Sequence, residues 1–263
     1  MTISMVAGEV KYDVTLATVE AKGILLTVAD AEAAFTGRVA KRVRDTDGKS
    51  VIAATVAGLR LTKFQEANLA RILQDMPVPN WRLGEALAEC YLEDHCDCLF
   101  PWHSGRDMKN PDACSAGADL VGFKSGVNSA QFAFGEVKTS EDTRIPPQVM
   151  YGRNGMVAQL ERLCGNYSRI DTLVRYLGFH RVGQSWEEKY KSAFMAYLND
   201  PSDVVLLGVL VRTTDVNEGD LQSRAKKLAR KNPRKVILLA LYIPIPLSNW
   251  KSLVFPEKEG ATS

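Results

Sequence analysis

The sequence predicts an α/β fold: a mixed central β-sheet flanked by helices, with a smaller N-terminal subdomain. Three observations carry this. Residues 204–211 and 236–243 are nearly continuous apolar runs, the pattern of strands buried on both faces. Between them, residues 221–231 place Leu221, Ala225, Leu228 and Ala229 on one side of a helix, so the order strand, helix, strand makes a crossover unit. Upstream, residues 117–123 and 132–139 read as two strands joined by the turn-prone run 124–129.

In chain order, residues 10–16 alternate like a strand and residues 23–28 could form another. Asp45-Thr46-Asp47-Gly48-Lys49 reads as a turn, and residues 51–61 as a strand or the start of a helix. Phe64, Ala67, Leu69, Ile72 and Leu73 recur near helical spacing before Met76-Pro77-Val78-Pro79-Asn80 breaks the pattern. That break sets the expected boundary between a subdomain over 1–79, of no visible chemistry, and a main domain over 80–256, with a frayed polar tail over 257–263. Leu83, Leu87, Cys90 and Tyr91 form the apolar stripe of a further helix, with Glu85, Glu89 and Glu93 off that stripe. A short strand over 98–102 and a polar loop over 104–115 lead to the hairpin. Beyond it, helices are expected over 156–163, 170–177 and 186–198. The last buries Trp186, Tyr190, Phe194 and Tyr197 or Leu198, which at this spacing pack a core more often than they stack on bases.

Composition narrows the classes. Apolar residues make up 46% of 263 and charged residues 24%, as in a folded globular chain. The net charge of +2 gives no global attraction to nucleic acid, so any basic surface must be local. The densest basic run is Arg224, Lys226, Lys227, Arg230 and Lys231, followed by Arg234 and Lys235. It suits a phosphate backbone or an acidic partner about as well as it suits a solvated helix face. No apolar run is long enough to span a bilayer and the N-terminus lacks a basic stretch leading into an apolar one, so a cytoplasmic protein with no membrane partner is expected. Five cysteines, an odd number, point to thiols rather than a disulfide framework. Cys90, His95, Cys96, Cys98 and His103 are metal-ligand types, but Cys96-Asp97-Cys98 is too tight for a CxxC knuckle and Cys90 sits on the apolar stripe. Neither a GxxxxGK[ST] loop nor a GxSxG turn occurs.

The chemistry concentrates in the hairpin. Glu136 and Lys138 project to one side of a strand and Val137 to the other, and Asp119 can lie beside them. A bare Glu-x-Lys is usually an exposed strand face. Two carboxylates and a lysine at one sheet edge, however, suit attack of water on a phosphodiester assisted by Mg²⁺, with Mn²⁺ as an alternative. The Val137 carbonyl would be a third ligand. Glu85 or Glu89 could add a carboxylate from the preceding helix, and Gln159 a polar group from the following one. For each of these three, a solvated helix face is the plainer explanation.

In this order the Glu85 helix, Asp119, Glu136-Val137-Lys138 and the Gln159 helix resemble the PD-(D/E)xK nuclease superfamily over about residues 82–165. Ala118 stands where the name-giving proline would be. The resemblance implies a restriction-endonuclease-like core, Asp119 and Glu136 on Mg²⁺, Lys138 near the attacking water, Glu85 as the helix acid and Gln159 as the polar residue of the second helix. The runs Gly84-Glu85-Ala86-Leu87-Ala88-Glu89, Gly117-Ala118-Asp119-Leu120 and Gly135-Glu136-Val137-Lys138 are more narrowly similar to the HamA family of nuclease subunits in Hachiman-type anti-phage defence. That likeness implies a DNA-cutting effector paired with a superfamily 2 helicase of HamB type. Arg224, Lys227, Arg230 and Lys231, taken from the basic run itself, are the expected DNA contact. Two other readings are a non-catalytic DNA-binding or scaffold subunit with the same fold, which has no chemical need for all of Asp119, Glu136 and Lys138, and a stand-alone restriction endonuclease.

Overall fold

The computed structural model describes residues 3–76, 78–107, 117–126, 129–230 and 234–256. Lys231, the tail over 257–263 and most of the polar loop over 104–115 lie outside them. The strands are β1 (Glu9–Leu16), β2 (Val19–Leu25), β3 (Cys98–Leu99), β4 (Leu120–Ser125), β5 (Ala130–Ser140), β6 (Val204–Arg212) and β7 (Lys235–Tyr242). They form one seven-stranded sheet in the order β1-β2-β7-β6-β5-β4-β3. β2, β7, β6 and β5 run parallel, and the antiparallel pairs β1–β2, β5–β4 and β4–β3 close the two sides. Every residue of β6 is buried, as its apolar run predicts.

The helices are α1 (Val28–Ala34), α2 (Ala40–Val43), α3 (Thr46–Ala54), α4 (Lys63–Ile72), α5 (Asn80–His95), α6 (Met156–Gly165), α7 (Tyr167–His180), α8 (Glu187–Asn199), α9 (Gly219–Ala229) and α10 (Trp250–Val254). A π-helical segment over Phe35–Val39 joins α1 to α2. One face of the sheet carries a core in which Leu83 and Leu87 of α5, Phe35 and Trp250 meet Val137 and Val209. The other carries Leu160 of α6, Tyr190 of α8 and Leu221 of α9 against Phe132, Phe134 and Leu206. Burying each such large apolar side chain contributes about 1.5–3 kcal/mol.

Several elements differ from the sequence reading. β2 pairs with β7 from Val19↔Val236 to Leu25↔Tyr242, so the sheet runs unbroken across the expected boundary at residue 79. The run Asp45–Lys49 is not a turn but the start of a helix that continues to Ala54, so of the two readings of residues 51–61 the helix holds over its first part. Asp45 adopts φ 46° and ψ 52°, accepts the Gly48 N–H and starts α3. α4 forms with a Thr62/Gln65 capping box, but none of its residues is buried, so the Phe64 and Ile72 stripe is not a core stripe. In α8 Tyr197 is buried and Leu198 exposed. Trp186, Tyr190 and Tyr197 pack against Phe123 or Phe132 at 5.6–6.0 Å between ring centroids, as core residues.

Candidate active site

β4 and β5 bring the predicted residues together. Asp119, just before β4, accepts the backbone N–H of Val137 on its Oδ2 at 2.9 Å. In a strand the N–H and C=O of one residue point to the same neighbour, so the Val137 carbonyl faces the Asp119 side too, while its side chain packs in the α5 core. Lys138 Nζ donates to Glu136 Oε2 at 3.2 Å and lies 3.7 Å from Asp119 Oδ2. The ammonium group thus sits within reach of both carboxylates. The site lies toward the C-terminal end of β5, where parallel strands open their ligand crevice.

Glu136 is only 3% exposed. Burial, and next the negative charge of Asp119, push its carboxyl up to about 8, against the opposing pull of Lys138. Its neighbour in the sheet, Gly208, makes room for the second helix. A Cβ there would come within 2.8–3.1 Å of Leu238 Cδ2, Leu160 Cδ1 and Met156 Sδ, so α6 rests close on the strand. Gln159 of that helix consequently lines the same cavity as Glu136, a space of about 270 Å³ between α6, α7 and the segment before β4. Gln159 Oε1 is buried and has no hydrogen-bond partner.

On the opposite face, Gly84 lets α5 press against β5: a Cβ on it would overlap Thr139 Oγ1, one residue past Lys138. This contact carries Glu85 toward the site. α5 is buried around its circumference, and its acids are not a solvated face. Arg82 Nη1 binds Glu85 at 2.8 Å and Glu89 at 3.4 Å, and Arg42 from α2 binds Glu89 at 2.5 Å and Glu93 at 3.1 Å. Burial and Asp119 raise Glu85 to about 7, with Arg82 opposing them. Burial also works to raise Glu89, but Arg42 and Arg82 outweigh it and hold that carboxyl below its ordinary range. Glu89 is held between two arginines, whereas Glu85 feels the negative charge of Asp119. Arg82 is legible in the sequence only as an i,i+3 partner of Glu85.

Among the described residues no three His, Cys, Asp or Glu side chains gather as a metal cluster. The donor set at the hairpin is two carboxylates and one carbonyl beside a lysine. It fits Mg²⁺, which binds through one or two carboxylates together with substrate phosphates and keeps several waters. Of the zinc-type residues, Cys90 and Cys98 are buried and burial raises both thiols to about 12.

The basic run divides. Arg224 lies over the Tyr151 ring at 4.2 Å and Lys227 pairs with Glu161 at 3.1 Å, while Lys226 and Arg230 are exposed. Arg234 is not part of this surface: it is buried, and its Nη1 donates to the carbonyls that end α6, including that of Cys164. Lys235 is paired with Glu20. No helix among the described residues is long and apolar enough to cross a membrane.

No protein-family model and no curated protein matches the chain.

Proposed function

We propose that the chain is a Mg²⁺-dependent deoxyribonuclease, with Mn²⁺ able to replace Mg²⁺, and that it acts as the cutting subunit of an anti-phage complex with a superfamily 2 helicase. The observation that carries the nuclease reading is the convergence of Asp119, Glu136 and Lys138, with the lysine ammonium within 3.2 Å and 3.7 Å of the two carboxylates. The order α5, mixed sheet, α6 supports the restriction-endonuclease-like assignment, because it is the order that the sequence resemblance implies. Defence and helicase partnership rest on that resemblance alone.

Asp119 and Glu136, with the Val137 carbonyl, would hold the cation, whose chemistry when bound is to acidify water and neutralise charge developing on phosphorus. The Val137 N–H fixes the Asp119 carboxylate before any ligand arrives. Lys138 orients the nucleophile and stabilises the crowded phosphorus centre electrostatically. Glu85, titrating near 7, can hold or release a proton at neutral pH. Lys226, Lys227 and Arg230 offer a surface for the backbone beyond the cut.

The test is purified protein on supercoiled plasmid, linear duplex and single strands, with Mg²⁺ or EDTA. Cleavage should require the metal and vanish in Glu136→Ala and Lys138→Ala proteins that remain folded. Wild-type rates in folded Glu136→Ala would sink the proposal.

A further inference from the structure

The cavity beside Glu136 has a lining that phosphodiester hydrolysis alone does not use. Ala118, Leu163 and Leu173 give it apolar walls, and Gln159 supplies a buried acceptor with no partner. Its other side is cationic. Arg162 is half-buried and tethered by Nη1 to the Arg153 carbonyl at 2.6 Å, and Arg169 is exposed on the first turn of α7. Among the described residues Glu136 is the one acid in the lining. Apolar walls with one unmet acceptor and a basic entrance match a nucleoside attached to phosphate, and they adjoin the carboxylate where the scissile phosphate would sit.

We propose that this cavity takes one unpaired nucleotide of the substrate strand, the one next to the scissile bond. Its base would lie against Leu163 and Leu173, and a flanking phosphate near Arg162 and Arg169. The inference rests on reading Asp119, Glu136 and Lys138 as a phosphodiesterase centre. The unpaired state follows from the chemistry. A base within a duplex must leave the stack to enter a walled pocket. The N–H groups on its pairing edge, which every base has, are open to Gln159 Oε1 only when its complement is absent. Single strands, flaps and frayed ends are thus the preferred substrates, with little preference among bases.

Thr172 is the residue to change. It lines the cavity, is exposed, and its hydroxyl donates to the Ser168 carbonyl at 2.8 Å and accepts from Arg175 Nη2 at 3.4 Å, both within its own helix, so Thr172→Trp fills the space without removing core packing. Binding is read in EDTA by fluorescence anisotropy with a labelled short oligodeoxynucleotide, single-stranded or annealed to its complement. Wild-type protein should favour the single strand by about tenfold, as burying one base against apolar walls is expected to supply. Thr172→Trp should lose about that factor on the single strand and nothing on the duplex, with an unchanged melting temperature. Equal affinity for both forms, or an unaffected variant, overturns the inference. So does competition by a free deoxynucleoside monophosphate that is sensitive to Thr172→Trp when oligomer binding is not. A parallel Mg²⁺ assay separates this failure from failure of the parent reading. If cleavage depends on Glu136 but ignores strandedness and Thr172→Trp, only the pocket assignment falls; if wild-type protein cuts nothing, the nuclease reading falls whatever the binding shows.

Discussion

Asp119 and Val137 are joined across neighbouring strands: the Asp119 carboxylate accepts the Val137 backbone N–H at 2.9 Å, which fixes one proposed metal ligand to the strand that supplies the other. The bond needs an acceptor, whereas cation binding needs a charge, so substitutions can separate the two roles. Asp119→Asn keeps an oxygen for the N–H and loses the charge. It should slow Mg²⁺-dependent cleavage by about 100-fold or more, as expected when a main electrostatic element is removed, with little change in melting temperature. Asp119→Ala should lose cleavage and about 1–2 kcal/mol of stability as well, since the N–H is left unpaired. Calorimetry beside a plasmid assay distinguishes the two. Equal stability in both variants would show that the hydrogen bond contributes nothing.

Glu136 and Glu85 give the metal-free protein an unusual pH response. Both carboxyls titrate higher when folded, at about 8 and about 7, than the ordinary 4.5. Between those limits the folded chain holds more protons than the unfolded one, so stability falls as pH rises, at up to about 1.4 kcal/mol per unit per group. His103, held below 6.5 mainly by burial, works in the opposite sense at lower pH. The clean window therefore lies between about pH 6.5 and 8. In EDTA the melting temperature should drop across it, and Glu136→Gln should flatten its upper part. Mg²⁺ should raise the melting temperature more at pH 8 than at 6.5, because ligation favours the ionised carboxylate. A flat wild-type profile would contradict this account.

What the sequence revealed follows from the range of the forces involved. The strand pattern at Glu136-Val137-Lys138, the crossover through α9 and the apolar stripe of α5 are local periodicities and can be read without a partner. The pairing of β2 with β7 joins residues more than two hundred positions apart and leaves no local mark. The acids of α5 looked solvent-facing because Arg38 and Arg42, which cover Glu89 and Glu93, come from a helix about fifty residues upstream. Arg234 looked like surface charge because nothing in Pro233-Arg234-Lys235 announces that α6 ends against it. The cavity leaves no mark in the sequence for the same reason: Ala118, Gln159 and Thr172 meet only in the folded chain.

On α9, Lys226 and Arg230 are exposed, whereas Arg224 stacks on Tyr151 and Lys227 is paired with Glu161. If this face holds the DNA backbone, Lys226→Ala with Arg230→Ala should weaken binding uniformly across sequences. On duplex DNA it should also reduce the log–log salt slope by about 2, or about 0.9 per lost phosphate contact. Arg224→Ala should act mainly on stability, by about 0.5–1 kcal/mol from its ring contact. Binding isotherms at several salt concentrations decide the matter, and an unchanged slope would mark the face as merely solvated.

The β2–β7 pairing and the arginines of the N-terminal helices make residues 1–79 part of the same folding unit as the candidate site. Arg42 holds Glu89 at 2.5 Å, Glu93 at 3.1 Å and the Phe100 carbonyl at 2.8 Å, and Arg38 holds Glu93 and Asp94, each at 2.9 Å. A chain starting at residue 80 would strip the Arg38 and Arg42 cations from these half-buried or buried carboxylates and leave β7 with β6 but without β2, a combination that costs more than a domain's usual margin. That truncation should be insoluble or unfolded, while the 263-residue chain should melt in one cooperative transition. Arg42→Met, which strips one cation from Glu89 and Glu93, should cost about 3 kcal/mol and lower the denaturant midpoint without changing its slope. A soluble 80–263 fragment with wild-type cleavage would instead establish that the N-terminal segment is a separable module.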